Sequence, residues 1–523
     1  MKKFFSIILI SALTLSLLTG CGTGTTKQST STTKATEQAA ASSETITFSS
    51  DKITCSDSDV SIEDNVITIS KAGNYTISGS SENAQIIIDA SDDDEVSLTL
   101  SDLTLSCETS APIYVKKAKQ LTVTLEDGST NYLSTTDEFV AIDDNNIDGV
   151  IFSKDDLILT GSGSLEIDSP YGHGIVTKDE LTVEDGTYTM TCKKHGLSGK
   201  DGIRIVNGTF TLSTQKDGIH TDGDLTIENG DINILESLEG LEGQTVTILD
   251  GNIDIVSSDD GINAASASDS SNSQSSDNFE NQKGNAPQPP ENNTTDQQSD
   301  STTDNTDATA DNTDMQQPPQ NNTDGQQPPQ NNTDGQQPPE LPDNQQQGME
   351  PPTDNGNGFG GNAGGFDMDA DESCSLTISG GNIHINAGGD GIDSNGTFTM
   401  TGGTVFVEGP ESNGDSALDY GISATITGGS FLAIGYSGMA QNFGTDSTQY
   451  SYMTTLESTV EEVSSTITLT DSEGNTILTQ DTRKTYNCVI ISCPELKEGS
   501  TYTLTTASTS QEFTPSSEAV QNN

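Results

Sequence analysis

The residues best suited to chemistry are acidic side chains that recur at nearly constant intervals along the middle of the chain. Asp217, Glu239 and Asp260 are 22 and 21 residues apart, and Asp390 takes the same place in a later Asp-Gly-Ile motif. Carboxylate and amide oxygens are hard ligands, and Ca²⁺ binds six to eight of them. The pattern predicts calcium between stacked repeats, whereas the simpler alternative is solvated turn residues, because Asp and Asn favour turns. A second set of oxygen ligands follows a few residues after each member of the first: Asp222, Glu242, Asn263 and Asp393.

Two histidines depart from this acidic pattern. His173 and His195 occupy the position of Asp217 in the two preceding repeats. Imidazoles one repeat apart could form a proton shuttle or a pair of ligands for a softer metal. Turn residues without a chemical role are the simpler interpretation, and the departure from the acidic pattern puts calcium binding at these two repeats in doubt.

Arg204 is the candidate base for a lyase. Beta-elimination from a calcium-bound acidic sugar requires a strong base, and of the two arginines only Arg204 lies within the repeats. Cations paired with the many carboxylates are the simpler interpretation, so we assign no catalytic residue and keep Arg204 as a carbohydrate-binding candidate. The lysines nearest to it in repeat register are Lys178, Lys194, Lys200 and Lys216.

Phe406 is the best candidate for stacking against a sugar. Sugar rings rest on flat aromatic faces, and the chain contains no Trp. The alternation of its strand points Phe406 away from the predicted core, so we expect it on the carbohydrate-binding surface.

The overall charge excludes some functions and favours others. The 523 residues include 80 Asp+Glu and 20 Lys+Arg, which gives a net charge of −60. A nucleic-acid-binding protein needs a basic surface to neutralise phosphates, so we expect no nucleic-acid partner. Divalent cations, in contrast, are attracted to such a chain.

The spacing of glycine-led strands predicts the fold. Segments such as Gly186-Thr-Tyr-Thr-Met and Gly208-Thr-Phe-Thr-Leu recur about every 22 residues, and each repeat holds three short alternating strands. In a parallel β-helix, equivalent residues of successive coils stack about 4.8 Å apart. We therefore predict an all-β, right-handed parallel β-helix with apolar ladders inside, which explains a hydrophobic content of only 30%. One predicted interior ladder is Leu165, Tyr188, Phe210, Ile232, Ile253, Ile383, Val405 and Phe431.

The N-terminus reads as an export signal with a lipid attachment site. Lys2 and Lys3 precede a short apolar run, and Leu18-Thr-Gly-Cys21 resembles a bacterial lipobox. We predict a signal peptide at residues 1–20, lipidation of Cys21 and a flexible stalk at 21–44. The protein would then lie on the extracellular face of the cell membrane, held by its lipid anchor only.

The remaining composition sets the domain boundaries. Residues 266–373 are rich in Asn, Asp, Gln and Pro and cannot form a core, so a disordered insert is predicted there. It divides the β-helix into residues 45–265 and 374–450, and residues 451–523 form a small C-terminal β module and tail. We expect a monomer. The spacing of the other cysteines suggests neither metal binding nor redox activity, and their disulfide state stays open. These cysteines are Cys55, Cys107, Cys192, Cys374, Cys488 and Cys493.

Several motifs resemble one family of bacterial surface proteins. Ala72-Gly-Asn-Tyr-Thr-Ile-Ser-Gly, Val150-Ile-Phe-Ser-Lys-Asp-Asp-Leu, the repeated Asp-Gly-Ile units, Gly438-Met-Ala-Gln and Leu496-Lys-Glu-Gly-Ser-Thr-Tyr-Thr-Leu are similar to carbohydrate-binding domain-containing proteins. The resemblance covers most of residues 45–508 apart from the insert. It implies a β-helix shaped like pectate lyases, bound calcium, and binding of cellulose and polygalacturonate without established catalysis. By motif position it also implies calcium ligands at Asp217, Glu239, Asp260 and Asp390.

We therefore expect a lipid-anchored surface protein that binds acidic pectic polymer or cellulose through a calcium-stabilised β-helix. Two alternatives stay open at this point. The first is a calcium-dependent polysaccharide lyase that uses Arg204. The second is an adhesin or cell-wall spacer that acts through the insert.

Overall fold

The computed structural model describes residues 43–49, 52–57, 60–267, 370–456 and 464–515, all of which belong to one compact unit. The predicted signal peptide, Cys21 and the stalk up to residue 42 lie outside the described residues, as does the predicted insert except for its ends. No helix among the described residues has the length and apolar character needed to cross a membrane. The domain boundaries drawn from the sequence stay predictions.

The N-terminal part builds the first coils and closes their open end. β1 pairs with β2 as an antiparallel hairpin and with β5 in parallel, and β3 pairs with β4 in a second hairpin. These hairpins cover strand edges that would otherwise invite association with other chains. The strands are β1 (Ser43–Ser49), β2 (Lys52–Cys55), β3 (Ser61–Glu63), β4 (Val66–Ile69), β5 (Gly73–Ser81), β6 (Gln85–Asp89), β7 (Glu95–Cys107), β8 (Ile113–Lys117) and β9 (Gln120–Leu125).

The central coils each contribute one strand to each of three parallel faces. The first face contains β10 (Thr130–Thr135), β13 (Ser164–Ser169), β16 (Thr187–Cys192), β19 (Thr209–Thr214), β22 (Asp231–Glu236), β25 (Asn252–Ser257), β28 (Asn382–Ala387), β31 (Thr404–Glu408) and β33 (Ser430–Gly435). The second face contains β11 (Gly149–Ser153), β14 (His173–Thr177), β17 (Leu197–Gly199), β20 (Ile219–Thr221), β23 (Leu241–Gly243), β26 (Ile262–Ala264) and β29 (Ile392–Ser394). The third face contains β12 (Asp156–Gly161), β15 (Glu180–Val183), β18 (Gly202–Ile205), β21 (Asp224–Ile227), β24 (Thr245–Ile248), β27 (Ser375–Ile378), β30 (Thr397–Met400) and β32 (Ser423–Ile426).

The parallel β-helix predicted from the repeats is confirmed, and so is the interior ladder. Tyr188 pairs with Phe210, Phe210 with Ile232, and Ile232 with Ile253, all with buried side chains. The rings of Tyr188 and Phe210 stack with centroids 5.1 Å apart. Alternate residues of the same strands face outward, so a thin apolar interior is enough to hold a chain of low hydrophobic content.

Glycine is required where the third face turns into the first. Gly208 and Gly230 have φ angles of 138° and 134°, which side chains other than hydrogen rarely adopt. A Cβ on Gly230 would also lie 2.9 Å from the carbonyl oxygen of Gly208 in the coil below. The recurrent glycine of the sequence repeat therefore marks a tight corner stacked on an identical corner.

The chain leaves and re-enters the β-helix within a single coil. β26 pairs with β23 and β29, while β27, on the other side of the insert, pairs with β24 and β30. The two ends meet at one residue, because the Asn395 amide donates to the carbonyl of Ala264 and the Asp371 amide donates to the carbonyl of Asn395. The solenoid is therefore continuous across the predicted insert.

The C-terminal end carries a small sheet over the last coils. β37 (Cys488–Ser492) pairs antiparallel with β33 and with β34 (Ser451–Thr455), so both strands extend the β-helix. A separate antiparallel sheet has the order β36 (Thr476–Asp481), β35 (Thr466–Asp471), β38 (Tyr502–Thr505) and β39 (Ser510–Phe513). The two parts share an apolar cluster that includes Leu432, Ile434 and Ile467.

The interior ladder predicts a strong contrast between neighbouring residues of β19. Phe210→Ala is expected to lower the free energy of unfolding by about 3–5 kcal/mol, because it removes a fully buried ring. Thr211→Ala, which points outward, should change it by less than about 0.5 kcal/mol. Denaturant titration followed by circular dichroism measures both, and equal effects would contradict the interior position of Phe210.

Candidate functional site

The recurrent acidic side chains stack at the corner between the first and second faces, here called the acidic corner. His173 begins a second-face strand, each of the other members stands two residues before one, and their backbones are joined coil to coil. The amide of Gly218 donates to the carbonyl of Glu239, and the amide of Gly240 donates to the carbonyl of Asp260. The members, in order along the axis, are His173, His195, Asp217, Glu239, Asp260 and Asp390.

Side chains of the acidic corner accept hydrogen bonds from the next coil. Asp217 Oδ1 accepts from the Glu239 amide at 3.3 Å, and Asp260 Oδ1 accepts from the Asp390 amide at 2.7 Å. His173 Nδ1 accepts from the His195 amide at 3.3 Å in the same way. These residues therefore have a structural role in addition to any role as ligands.

A second row of polar side chains lies beside the acidic corner, on β20, β23, β26 and β29. Here the structure corrects the sequence alignment, because His220, not Asp222, pairs with Glu242. Asp222 lies two residues further on, where its Oδ1 is 3.5 Å from Nε2 of His220. The spacing of 22 residues back from Glu242 could have identified His220. The row in register is His220, Glu242, Asn263 and Asp393.

The carboxyl groups towards the C-terminal end of the acidic corner are poorly compensated. Burial, together with the neighbouring carboxylates, raises the pKa of Glu239 and of Asp260 well above the ordinary values. Burial and the charge of Asp260 raise the pKa of Asp390 to about 8. Without a cation, part of this row holds protons near neutral pH.

Histidines reverse the situation at Asp217. Burial alone would raise its pKa, but hydrogen bonds and charge from His195 and His220 hold the pKa of Asp217 below its usual range. Burial likewise opposes the charge on His220, yet hydrogen bonds with Asp217, Asp222 and Glu242 raise its pKa to about 12. Between Asp217 and Glu239, the acidic corner therefore changes from a carboxylate compensated by histidines to carboxyl groups without such compensation.

The donor set around Glu239 suits a hard divalent cation. Asp217, Glu239 and Glu242 each bring one carboxylate oxygen within 4.8 Å of the others. Asn263 Nδ2 donates to Glu239 at 3.1 Å, whereas the buried Asn263 Oδ1 has no hydrogen-bond partner among the described residues. An orphaned amide oxygen beside buried carboxylates fits Ca²⁺, which takes carbonyl and carboxylate oxygens together.

An open groove of about 450 Å³ crosses four coils on the outside of the first face. Two outward rows line it, one containing Asn252 and the other Asn233. Asn252 Nδ2 donates to Asp231 Oδ1 at 2.7 Å, and the imidazole of His384 lies 3.1 Å from Asp254 Oδ1. The polar lining residues are Thr209, Thr211, Asp231, Asn233, Asn252, Asp254, Asn382 and His384.

Phe406 points away from the interior of the β-helix, as its strand alternation predicted, but its ring is not exposed to solvent. Its ring is only 8% exposed and packs in the apolar cluster under the C-terminal sheet. It also stacks on His384, with centroids 5.3 Å apart. The C-terminal sheet, which sequence reasoning could not place, covers this ring, and Phe406 supports the end of the groove.

Arg204 lies on the outside of the third face, apart from the groove and the acidic corner. Its Nη2 is 2.6 Å and its Nε 2.9 Å from Glu228 Oε1. Lys194 is bound to Asp148 at 2.8 Å, and Lys178 lies over the ring of Phe152. The structure therefore does not bring Arg204 together with the predicted calcium ligands, and no disulfide joins the six cysteines of the described part of the chain.

Comparison with known proteins finds chains that are similar to parts of this one. A curated carbohydrate-binding domain-containing protein of Acetivibrio thermocellus is 33% identical over 126 residues, which are 24% of this chain and 44% of the relative. The chain thus spans less than half the length of that relative. A solved structure, described as the polysaccharide lyase-like protein from C. thermocellum in a gadolinium derivative, is 27% identical with a TM-score of 0.36; the match covers 42% of this chain and 85% of that chain.

The model of one protein family matches residues 63–304, which include the N-terminal coils, the histidines and the acidic corner as far as Asp260. That family is described as the carbohydrate-binding domain-containing proteins. The resemblance predicted from the motifs is thereby confirmed: residues 63–304 match the model of the carbohydrate-binding domain-containing proteins.

Proposed function

We propose that the protein is a cell-surface lipoprotein, anchored through Cys21, that binds an acidic pectic polymer or cellulose along the groove of the first face. The observation that carries this proposal is the repetition of hydrogen-bonding side chains across four stacked coils. The family match and the relative's name support carbohydrate as the ligand class.

The groove suits an extended ligand that is itself repetitive. Equivalent side chains recur every coil, about 4.8 Å apart, and present hydroxyl, amide and carboxylate groups to solvent. Asn233 and Asn252 are exposed and can donate to and accept from sugar hydroxyls. A chain of identical sugars can repeat the same contacts, whereas a compact ligand would use only one coil.

Calcium has two roles in this proposal. Between coils, it would be held by Glu239, Asp260 and Asp390 with Asn263 and Asp393, where it would neutralise buried carboxylates. At the groove, divalent ions would allow a uronate polymer to approach Asp231 and Asp254 on a chain of net charge −60. Neutral cellulose needs no such bridge.

Sedimentation with insoluble polysaccharide tests the groove. Asn233→Ala/Asn252→Ala is expected to weaken binding about thirtyfold, because two hydrogen-bonding groups are lost at roughly 1 kcal/mol each. The fraction bound to polygalacturonate and to cellulose is measured with calcium and with chelator, and circular dichroism confirms the fold. Release of unsaturated sugars into the supernatant would favour the lyase alternative instead.

The matched control for this test lies on the third face. Thr226→Ala/Thr247→Ala removes two outward polar groups from adjacent coils that are not part of the groove. Binding should be unchanged in this control. If the wild type sediments with neither polymer, or if the control loses as much binding as the groove variant, the groove is not the binding site.

Deletion of the insert separates binding by the β-helix from the adhesin or spacer alternative. Replacement of residues 268–369 by a short Gly/Ser linker should keep the melting temperature within a few degrees, since the two ends already meet at Asn395. Polysaccharide binding should also be retained. Loss of binding by a folded deletion variant would assign the function to the insert.

The buried carboxyl groups predict an unusual pH dependence of stability in chelator. The pKa of Asp390 rises from an ordinary 3.8 to about 8 in the folded chain, so the native state keeps a proton that the unfolded state releases. Stability is therefore lost as pH rises from about 4 to about 8, at about 1.4 kcal/mol per pH unit for this one group. Asp390→Asn should flatten the dependence by that amount, and denaturant titrations from pH 5 to 8 measure it.

The control for the pH dependence is Asp231→Asn, an exposed aspartate for which the slope should not change. Excess calcium should oppose the loss, because the ion binds the deprotonated carboxylates and stabilises the native state. An identical slope in wild type and Asp390→Asn would refute the buried, protonated state of Asp390.

A further inference from the structure

The cluster formed by His195, Asp217, His220 and Glu242 lies where the acidic corner changes from nitrogen to oxygen donors. His195 Nδ1 is 2.9 Å from Asp217 Oδ2, and His220 Nδ1 is 3.3 Å from the same oxygen. His220 Nδ1 also contacts Glu242 Oε2. The cluster draws its side chains from three consecutive coils and is buried except for part of His220.

Hydrogen bonds alone do not satisfy these contacts. A single Nδ1 carries at most one proton, so His220 can donate to Asp217 or to Glu242 but not fully to both. His195 Nδ1 has the same conflict, because it accepts from the Asp217 amide at 3.2 Å and also faces Asp217 Oδ2. One cation placed among the four atoms would be attracted to every one of them.

The separations among three of the four ligand atoms are compatible with tetrahedral coordination. Ligands bound to Zn²⁺ at about 2.0–2.1 Å lie about 3.3 Å from one another. The ligand atoms of His195, Asp217 and His220 all fall within 4.8 Å, so small side-chain movements bring them to that geometry. Two imidazoles and two carboxylates form a borderline donor set that favours zinc and related transition metals over calcium.

The surroundings also resemble those of metal centres. With His220 bound through Nδ1, its Nε2–H would face Asp222 Oδ1, which is 3.5 Å away, in the arrangement that orients metal-bound histidines. An open cleft of about 210 Å³, lined by His173, His195 and His220, gives ions access from solvent. The three imidazoles stack with centroids 4.9 and 4.5 Å apart, which fixes the ring planes.

We propose that His195, Asp217, His220 and Glu242 form a site for a divalent transition metal of the zinc type, separate from the calcium positions beside Asp260 and Asp390. The site joins three coils and therefore stabilises the β-helix. The proposed metal site does not depend on polysaccharide binding. Sedimentation with polysaccharide neither supports nor contradicts it, because the site is tested by metal binding.

Zinc retention by the untagged full chain tests the site. After incubation with Zn²⁺ and desalting in buffer that contains millimolar calcium, we expect one zinc per chain by elemental analysis and a higher melting temperature. Co²⁺ in place of zinc should give the intense visible absorption of a tetrahedral site with nitrogen and oxygen ligands. His195→Ala and His220→Ala should each weaken zinc binding at least tenfold.

The matched control is His384→Ala, which removes a histidine that contacts two carboxylates on the first face. It should retain zinc like the wild type, and circular dichroism confirms that each variant folds. If a variant fails to fold, the cobalt spectrum of the wild type still decides. No retained zinc, an octahedral cobalt spectrum, or equal losses in His384→Ala and His220→Ala would overturn the proposal.

Discussion

The structure depends on the parallel hydrogen bonding of one coil to the next. Backbone amides and carbonyls of equivalent residues pair along all three faces, as in the ladder from Leu165 through Tyr188 to Phe210. This pairing fixes equivalent side chains about 4.8 Å apart. In the coils between residues 149 and 264, residues that are 21 to 24 positions apart in sequence thereby become nearest neighbours, and positions on the surface repeat with the same period.

Stacking has an electrostatic cost where the repeated residue is acidic. Like charges at this distance, buried from water, cannot all remain ionised unless something compensates them. The chain uses two compensations at the acidic corner. Near Asp217, imidazoles face the carboxylate; near Asp260 and Asp390, protonation or a hard cation must do so, which explains the raised pKa values. Their side chains also accept hydrogen bonds from backbone amides of the next coil, so these residues have a structural role even without a metal.

The same stacking accounts for the groove and for the tolerance of a long insertion. Outward rows of Asn, Asp and Thr repeat across coils, so a polar surface of constant chemistry forms without any single specialised loop. Because each coil is held mainly by its neighbours, a segment that leaves at Ala264 and returns at Asp371 does not interrupt the ladder. The C-terminal sheet closes the last coils and covers Phe406.

The sequence by itself determined the β-helix, its interior ladders and the stacking of the acidic corner, because the period of about 22 residues equals the number of residues in one coil. Tertiary structure decided the rest. Whether the ring of Phe406 is exposed depended on where the C-terminal sheet packs. The antiparallel strands of that sheet have no sequence repeat from which their position could be predicted. The pairing of His220 with Glu242 depended on register within short second-face strands, where a shift of two residues keeps the same outward direction. The partner of Arg204 depended on which of the many acidic side chains lies beside it. The sequence period shows only which equivalent positions are neighbours, so contacts between non-equivalent positions are seen only in the folded structure.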